Sequence, residues 1–337
     1  MSPANQTYRS LVSMVIATLF ALSLMPLPVM SDSESAVSEL PATVQWMGNI
    51  QSPRLDESSG LASSHYDAGV LWSINDSGSG PEIFAVTPHG QHLGSWVIDM
   101  SDPLDWEAMA SFRWRDRNYL LVADIGDNFA ARSSVSFTVV AEPRLDQISA
   151  EQRLKPLLVQ HFTFPEGPRD AEAVAVDTQR QELLVLSKRT VPPELYRVSL
   201  DMESLESSEP SKSANTGHGA AHLQAELLTA LTDFSKPPMR QVDLYGSYWP
   251  YIGMPTGMTL SADLLLVTTL EHAYLFNRKD LSQPAKLIRL PFAGQREAIA
   301  FAKDSTDTAY LTHEREDGLR KTAIYRVQFE DRDRAEK

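Results

Sequence analysis

Cysteine is absent from all 337 residues. Without a thiol the chain has no disulfides, no thiolate metal ligands, no cysteine nucleophile and no lipid-modified N-terminal cysteine. Positive charge is scarce: 30 Lys and Arg stand against 44 Asp and Glu, a formal net charge of −14. Nucleic acids and anionic membranes are bound through a cationic face, so neither is expected as a partner. Long apolar runs are confined to residues 11–24. Several enzyme signatures are missing too, with no G-x-S-x-G elbow, H-E-x-x-H, P-loop or G-x-G-x-x-G in the chain.

The one apolar run follows a single charge, Arg9, and is broken by Pro26 and Pro28 before Val29-Met30-Ser31. A basic start, an apolar core and a small residue at the end read as a secretory signal spanning 1–31, cleaved before Asp32. That reading predicts a periplasmic or secreted protein with no membrane attachment after cleavage. The alternative is an uncleaved anchor, since residues 11–30 just reach spanning length. Residues 32–42 are an acidic, serine-rich linker in this division of the chain.

What is present is a repeat. Ser59-Gly60-Leu61-Ala62, Glu107-Ala108-Met109-Ala110, Glu172-Ala173-Val174-Ala175, Thr256-Gly257-Met258-Thr259 and Glu297-Ala298-Ile299-Ala300 share a polar, small, large apolar, small pattern. Each is followed by an apolar strand ending in a polar turn, at 70–76, 119–124, 183–188, 264–271 and 309–314. A third strand then carries an aromatic residue: Phe84, Phe137, Tyr196, Tyr274 and Tyr325. Fourth strands are predicted at 92–98, 157–164, 226–231 and 285–290.

Recurring short antiparallel strands identify an all-β, single-domain β-propeller over residues 43–329. Five blades are predicted, with six as the alternative if residues 235–255 hide another. Gly and Ala suit innermost strands that crowd the axis, and the aromatics suit the spaces between blades. The last repeat lacks a fourth strand, so the strand-like segment 43–50 is predicted to close the ring. The Ser- and Gly-rich stretch 203–222 reads as a surface excursion, and 330–337 as a frayed tail.

Propeller topology puts the loop before each innermost strand and the loop after each second strand on one face. That face would gather Glu57, Asp105, Glu107, Asp170, Glu172 and Glu297 with Asn75, Asp76, Asp124, Asp127, Asn128, Glu271, His272, His313 and Glu314. Eleven of these are acids, while the nearby bases are Arg169, Lys188, Arg189 and Arg296. Oxygen donors without sulfur suit a hard cation, Ca2+ rather than Zn2+. The predicted metal ligands are Glu57, Asn75, Asp76, Glu107, Asp124, Asn128, Asp170, Glu172 and Glu297. The competing reading of each is a cap for backbone N–H groups. His313 and Glu314 are the acid/base candidates. Trp249 and Tyr251 offer an aromatic wall or core packing, and His218 and His222 read as plain surface.

These segments together resemble a group of uncharacterised secreted bacterial β-propeller proteins. More loosely the chain is similar to the gluconolactonase, paraoxonase and phytase-like esterase propellers. The first of these implies a divalent cation held by a Glu leading into an early inner strand, here Glu57 or Glu107, with Asn75, Asn128 and Asp124. Two functions follow as expectations: a calcium-dependent hydrolase of esters, lactones or phosphoesters, or a non-catalytic propeller binding a small-molecule ligand or an envelope protein. A monomer is expected in either case.

Overall fold

The computed structural model describes residues 37–147, 152–206, 223–234, 251–291, 295–313 and 322–330. The first strand, β1 (Ala42–Asn49), belongs to the last blade. Blade 1 comprises β2 (Ser58–Ser63), β3 (Leu71–Asn75), β4 (Glu82–Val86) and β5 (His92–Ile98). Blade 2 comprises β6 (Trp106–Trp114), β7 (Arg117–Asp124), β8 (Val135–Ala141) and, after the two-residue β9 (Arg153–Leu154), β10 (Leu158–Thr163). Blade 3 holds β11 (Ala171–Asp177), β12 (Glu182–Ser187), β13 (Glu194–Ser199) and, after β14 (Leu223–Gln224), β15 (Glu226–Ala230). Blade 4 holds β16 (Pro255–Leu260), β17 (Leu264–Thr269), β18 (His272–Asn277) and β19 (Lys286–Arg289). Blade 5 holds β20 (Arg296–Phe301), β21 (Thr308–His313) and β22 (Ala323–Phe329).

β1 pairs antiparallel with β22, from Ala42 opposite Phe329 to Asn49 opposite Ala323, and supplies the missing outer strand. The ring is closed as expected. Each inner strand, β2, β6, β11, β16 and β20, lies beside two others in one cycle. Blades 3 and 4 are therefore direct neighbours, and no sixth blade separates them. Close approach explains the small residues: a Cβ on Gly60 would stand 2.9 Å from the Met109 amide nitrogen, and one on Gly257 3.1 Å from Ala298 Cα.

The core is five separate clusters, one between each pair of neighbouring blades. In β12, Leu183 and Val185 pack toward blade 2, whereas Leu184 and Leu186 pack toward blade 4. Both faces of the sheet are buried, so the middle strands read as continuous apolar runs. Third-strand aromatics do fill these spaces, with one difference. Phe84, Tyr196, Tyr274 and Tyr325 pack toward the preceding blade. Phe137 packs toward the following one, because it faces Ala123 in register where its counterparts face the position one residue earlier in the second strand. A one-residue offset reverses a strand side chain.

Two strands were not legible. β9 and β14 pair parallel with β5 and β10, extending blades 1 and 2, and two residues are too few to show a pattern. The expected linker 32–42 also ends earlier than its composition suggests. Leu40 is buried between blades 4 and 5, and its N–H donates to the Leu287 carbonyl at 2.7 Å. The signal segment 1–31, most of the excursion 203–222 and all but one residue of the tail 330–337 lie outside the described residues. Among the described residues no helix is long and apolar enough to cross a membrane.

Blades 3 and 4 are tied by a buried ion pair. Asp177, at the end of β11, meets the Arg278 guanidinium, and their side chains are 0% and 9% exposed. Asp177→Ala would leave that guanidinium buried beside carbonyls alone. Chemical denaturation of this variant is expected to show a loss of about 3 kcal/mol or more. A loss under about 1 kcal/mol would contradict the assignment.

Candidate metal centre

All five inner strands carry the same irregularity. The ladder between first and second strands skips one residue between Ser58 and Gly60, Trp106 and Ala108, Ala171 and Ala173, Pro255 and Gly257, and Arg296 and Ala298. The residue passed over is the leading residue of each repeat: Ser59, Glu107, Glu172, Thr256 or Glu297. A bulge re-aims the side chain it carries. All five are buried, at 1–7% exposure. Ser59 Oγ donates to the Glu107 carbonyl at 3.0 Å, across the boundary between blades 1 and 2. Glu107 feels the charge of Glu172, and Glu172 that of Glu297.

A second recurring contact fixes the face. The N–H groups of Asp76, Gly126 and Lys188 donate to the carbonyls of Glu57, Asp105 and Asp170 at 3.0, 3.2 and 2.9 Å. Each acceptor lies two residues before its bulge, so both sets of loops share one mouth. Several predicted ligands serve this scaffold. Asn75 Oδ1 accepts from the N–H groups of Asp56 and Glu57, each at 3.2 Å. Asp124, its counterpart, accepts from Leu104 and Asp105 at 3.0 and 3.1 Å and pairs with Arg132 at 2.7 Å. Asp170 accepts from the Asp127 N–H at 2.9 Å and pairs with Arg189 at 2.5 Å. Arg189 also donates to Asn128, and Glu57 stays exposed at the rim.

Asp76, Asp105 and Glu107 come together instead. One carboxylate oxygen from each lies within 4.8 Å of the others. Gly126 makes this meeting sterically feasible. A Cβ there would collide with the Asp105 carboxylate and stand 2.6 Å from Glu107 Oε1. Burial, and then the Asp76 charge, push the Asp105 carboxyl up to about 6, with Arg132 opposing. Burial and the charges of Glu172 and Asp76 hold Glu107 well above the usual carboxylate range. Three converging carboxylate oxygens could hold a hard divalent cation. Asp105 was not among the metal ligands predicted from sequence, although it sits two residues before Glu107 in the same acidic loop.

Lys188 stands in the ring. Its ammonium pairs with Glu172 Oε1, while Glu172 Oε2 is buried without a hydrogen-bond partner. Burial pushes the Glu172 carboxyl up to about 8 against the pull of Lys188. For Lys188, burial alone would lower the ammonium, and Glu172, Glu297 and Glu107 outweigh it and raise it. Beside it opens a cavity of about 270 Å³ lined by Lys188, Arg189, Tyr251, Thr256, Leu270, Gln295 and Glu297. The Arg189 guanidinium lies over the Tyr251 ring, 5.7 Å from its centroid. Tyr251 lines this cavity, whereas Trp249, His218 and His222 lie outside the described residues.

The remaining candidates are placed differently. His313 is buried, with its ring 5.9 Å from that of Tyr325, and Glu314 lies outside the described residues. The Arg296 guanidinium is buried and donates to the carbonyls of Leu270 and Pro291, at 2.7 and 2.5 Å, while its charge is felt by Glu271 and Glu297. Arg169 pairs with Glu194 at 3.0 Å. Arg132, which sequence reasoning missed, pairs with Asp124 and opposes the upward shift of Asp105.

No protein-family model matches the chain, and no curated protein matches it either. Similarity to solved structures is in the fold alone. The PQQ-bound aldose sugar dehydrogenase of Streptomyces coelicolor is 14% identical, over 87% of this chain and 100% of that one, with a TM-score of 0.47. A gluconolactonase of Xanthomonas campestris is 12% identical, over 87% and 91%, at 0.42. The WD40 repeats of RRP9 are 13% identical, over 81% and 80%, at 0.40.

The raised carboxyls imply a pH dependence. A carboxyl whose folded pKa exceeds its unfolded value, about 4, binds its proton more tightly in the native state. Stability then falls as pH rises between the two values. With Asp105 at about 6 and Glu172 at about 8, chelator-treated protein is expected to lose thermal stability from about pH 5 to 8. Added Ca2+, which favours the ionised forms, is expected to reverse that loss. A Tm in chelator that climbs steadily across this window would contradict the reading.

Proposed function

We propose that the acidic mouth binds one divalent cation, Ca2+ by the hardness of its donors, and that the protein is a metal-dependent hydrolase of esters, lactones or phosphoesters acting in the periplasm or outside the cell. The observation that carries this reading is the convergence of Asp76, Asp105 and Glu107 within 4.8 Å beside Gly126. A bound divalent ion supplies Lewis acidity toward a carbonyl or phosphoryl oxygen.

The chain's own residues supply the rest of the reading. Asp76, Asp105 and Glu107 are the ligands. The cavity beside Lys188, about 270 Å³, is of a size for a small molecule, with Tyr251 and Leu270 as its apolar surface. Glu297 lies on that wall and is the carboxylate offered to the proton of an attacking water. The burial of His313 against Tyr325 supports a packing role for it instead. The binding-only reading draws support from the occupation of Asn75, Asp124 and Asp170 by backbone donors, which makes the face a rigid surface.

Thermal unfolding in a Ca2+ titration tests the cation. At a hundredfold excess over Kd the protein is expected to gain about 2.7 kcal/mol, and Asp105→Asn or Gly126→Ala to lose that gain. No shift at millimolar Ca2+ removes the metal from the account. Lactones, aryl esters and phosphoesters then separate the two functions. Hydrolysis lost in chelator and in Asp105→Asn supports the enzyme, and Ca2+ binding without turnover selects the binding propeller.

A further inference from the structure

The three most exposed large apolar side chains among the described residues are Phe129, Leu104 and Val191, at 91%, 72% and 70%. All three stand on loops of the mouth. Leu104 lies directly before Asp105, and its N–H donates to Asp124 Oδ2 at 3.0 Å. Phe129 lies between β7 and β8, and Val191 between β12 and β13. The loops of Phe129 and Val191 touch, since Arg189 donates to Asn128. Exposed apolar residues scattered singly over a protein are ordinary, whereas several gathered on one face mark an interaction surface.

Phe129 is held out by a braced turn. The Asp127 carbonyl accepts the Ala130 N–H at 2.8 Å, and its carboxylate accepts those of Ala131 and Arg132, each at 2.8 Å. The Asp127 N–H is itself fixed to Asp170 at 2.9 Å. Ala130 has φ +48°, a left-handed conformation that an L residue keeps only where its surroundings impose it. A preorganised, solvent-exposed aromatic loses little freedom on docking and serves as an anchor. The uncompensated charge beside it has one sign. Asp102, two residues before Leu104, and Glu57, on the entry loop of neighbouring blade 1, are exposed and in no ion pair among the described residues.

We propose that this rim, Leu104, Phe129 and Val191 beside Asp102 and Glu57, is a docking surface for a protein partner that offers a pocket to Phe129 and Lys or Arg side chains to the two acids. Charge decides among the occupants. A second copy would bring the same acidic rim against itself under a net charge of −14, and an anionic lipid surface repels this face. A basic, apolar protein segment complements both the hydrophobic and the acidic parts. The inference requires neither a bound metal nor turnover at the mouth.

A phage-displayed library of linear peptides of about twelve residues is the probe, selected on the whole protein and counter-selected on Phe129→Ser. The enriched peptides are expected to join apolar residues to Lys or Arg. By fluorescence anisotropy, a synthetic representative is expected to bind Phe129→Ser about tenfold more weakly or worse, and Asp102→Asn about threefold more weakly. No enrichment, or equal affinity for the wild type and Phe129→Ser, overturns the inference. Phe129-dependent binding to phosphatidylcholine–phosphatidylglycerol vesicles overturns it in favour of a membrane, and a Phe129-dependent dimer in sedimentation overturns it in favour of a second copy. A Tm lower by about 5 °C or more in Phe129→Ser shows that the chain itself covers this side chain, and overturns it as well.

Discussion

A single backbone irregularity, repeated at the start of each inner strand, governs what this propeller can do. A regular strand would send alternate side chains into the two neighbouring blades, where the apolar clusters lie. One extra residue in the ladder breaks that alternation and leaves Ser59, Glu107, Glu172, Thr256 and Glu297 over for the axis. Closure of the ring by β1 on β22 keeps all five at one level. Without closure these residues are points scattered over most of the chain. With it they are neighbours.

Electrostatics then sorts the acids of the mouth into two kinds. Two carboxylates ~4 Å apart repel by about 4 kcal/mol at an effective dielectric near 20, so each needs a partner. The outer acids have theirs within the fold. Asp124 has Arg132 and two backbone N–H groups, and Asp170 has Arg189 and another. Lys188 serves the inner ring but not the whole of it. Asp76, Asp105 and Glu107 are crowded together, and burial with neighbouring charge holds the Asp105 and Glu107 carboxyls above their usual range, a state that a divalent ion would relieve. The division follows from geometry: Asp124 and Asp170 accept backbone N–H groups from neighbouring loops and pair with arginines, whereas Asp76, Asp105 and Glu107 also converge on one another.

Much of the fold was legible because its signal is repetition rather than periodicity. The middle strands, buried on both faces, have none of the alternation that marks a half-exposed sheet, yet their recurrence after each small-residue segment located all five blades. The closing strand was legible as an unmatched half of the last repeat. β9 and β14 were not, for want of length, and the offset of Phe137 depends on pairing register, which no local pattern records. At the site, sequence gathered the acids on one face but did not show which of them meet. The backbone N–H groups that Asn75 and Asp124 accept from come from the preceding inner-strand loop, a pairing invisible to any local pattern. The value of Gly126 lies in the side chain it lacks, and Arg132 returns to Asp124 through a turn whose backbone Asp127 caps.

Among the described residues, Asp76, Asp105 and Glu107 are the acids whose oxygens meet closely enough to hold a divalent ion. Anomalous diffraction from crystals soaked in Mn2+, a scatterer that shares the oxygen preference of Ca2+, tests that site directly. The account expects an anomalous peak bounded by Asp76, Asp105 and Glu107 beside Gly126. A mouth without such a peak, with Mn2+ found only on the outer surface of the blades, would contradict it.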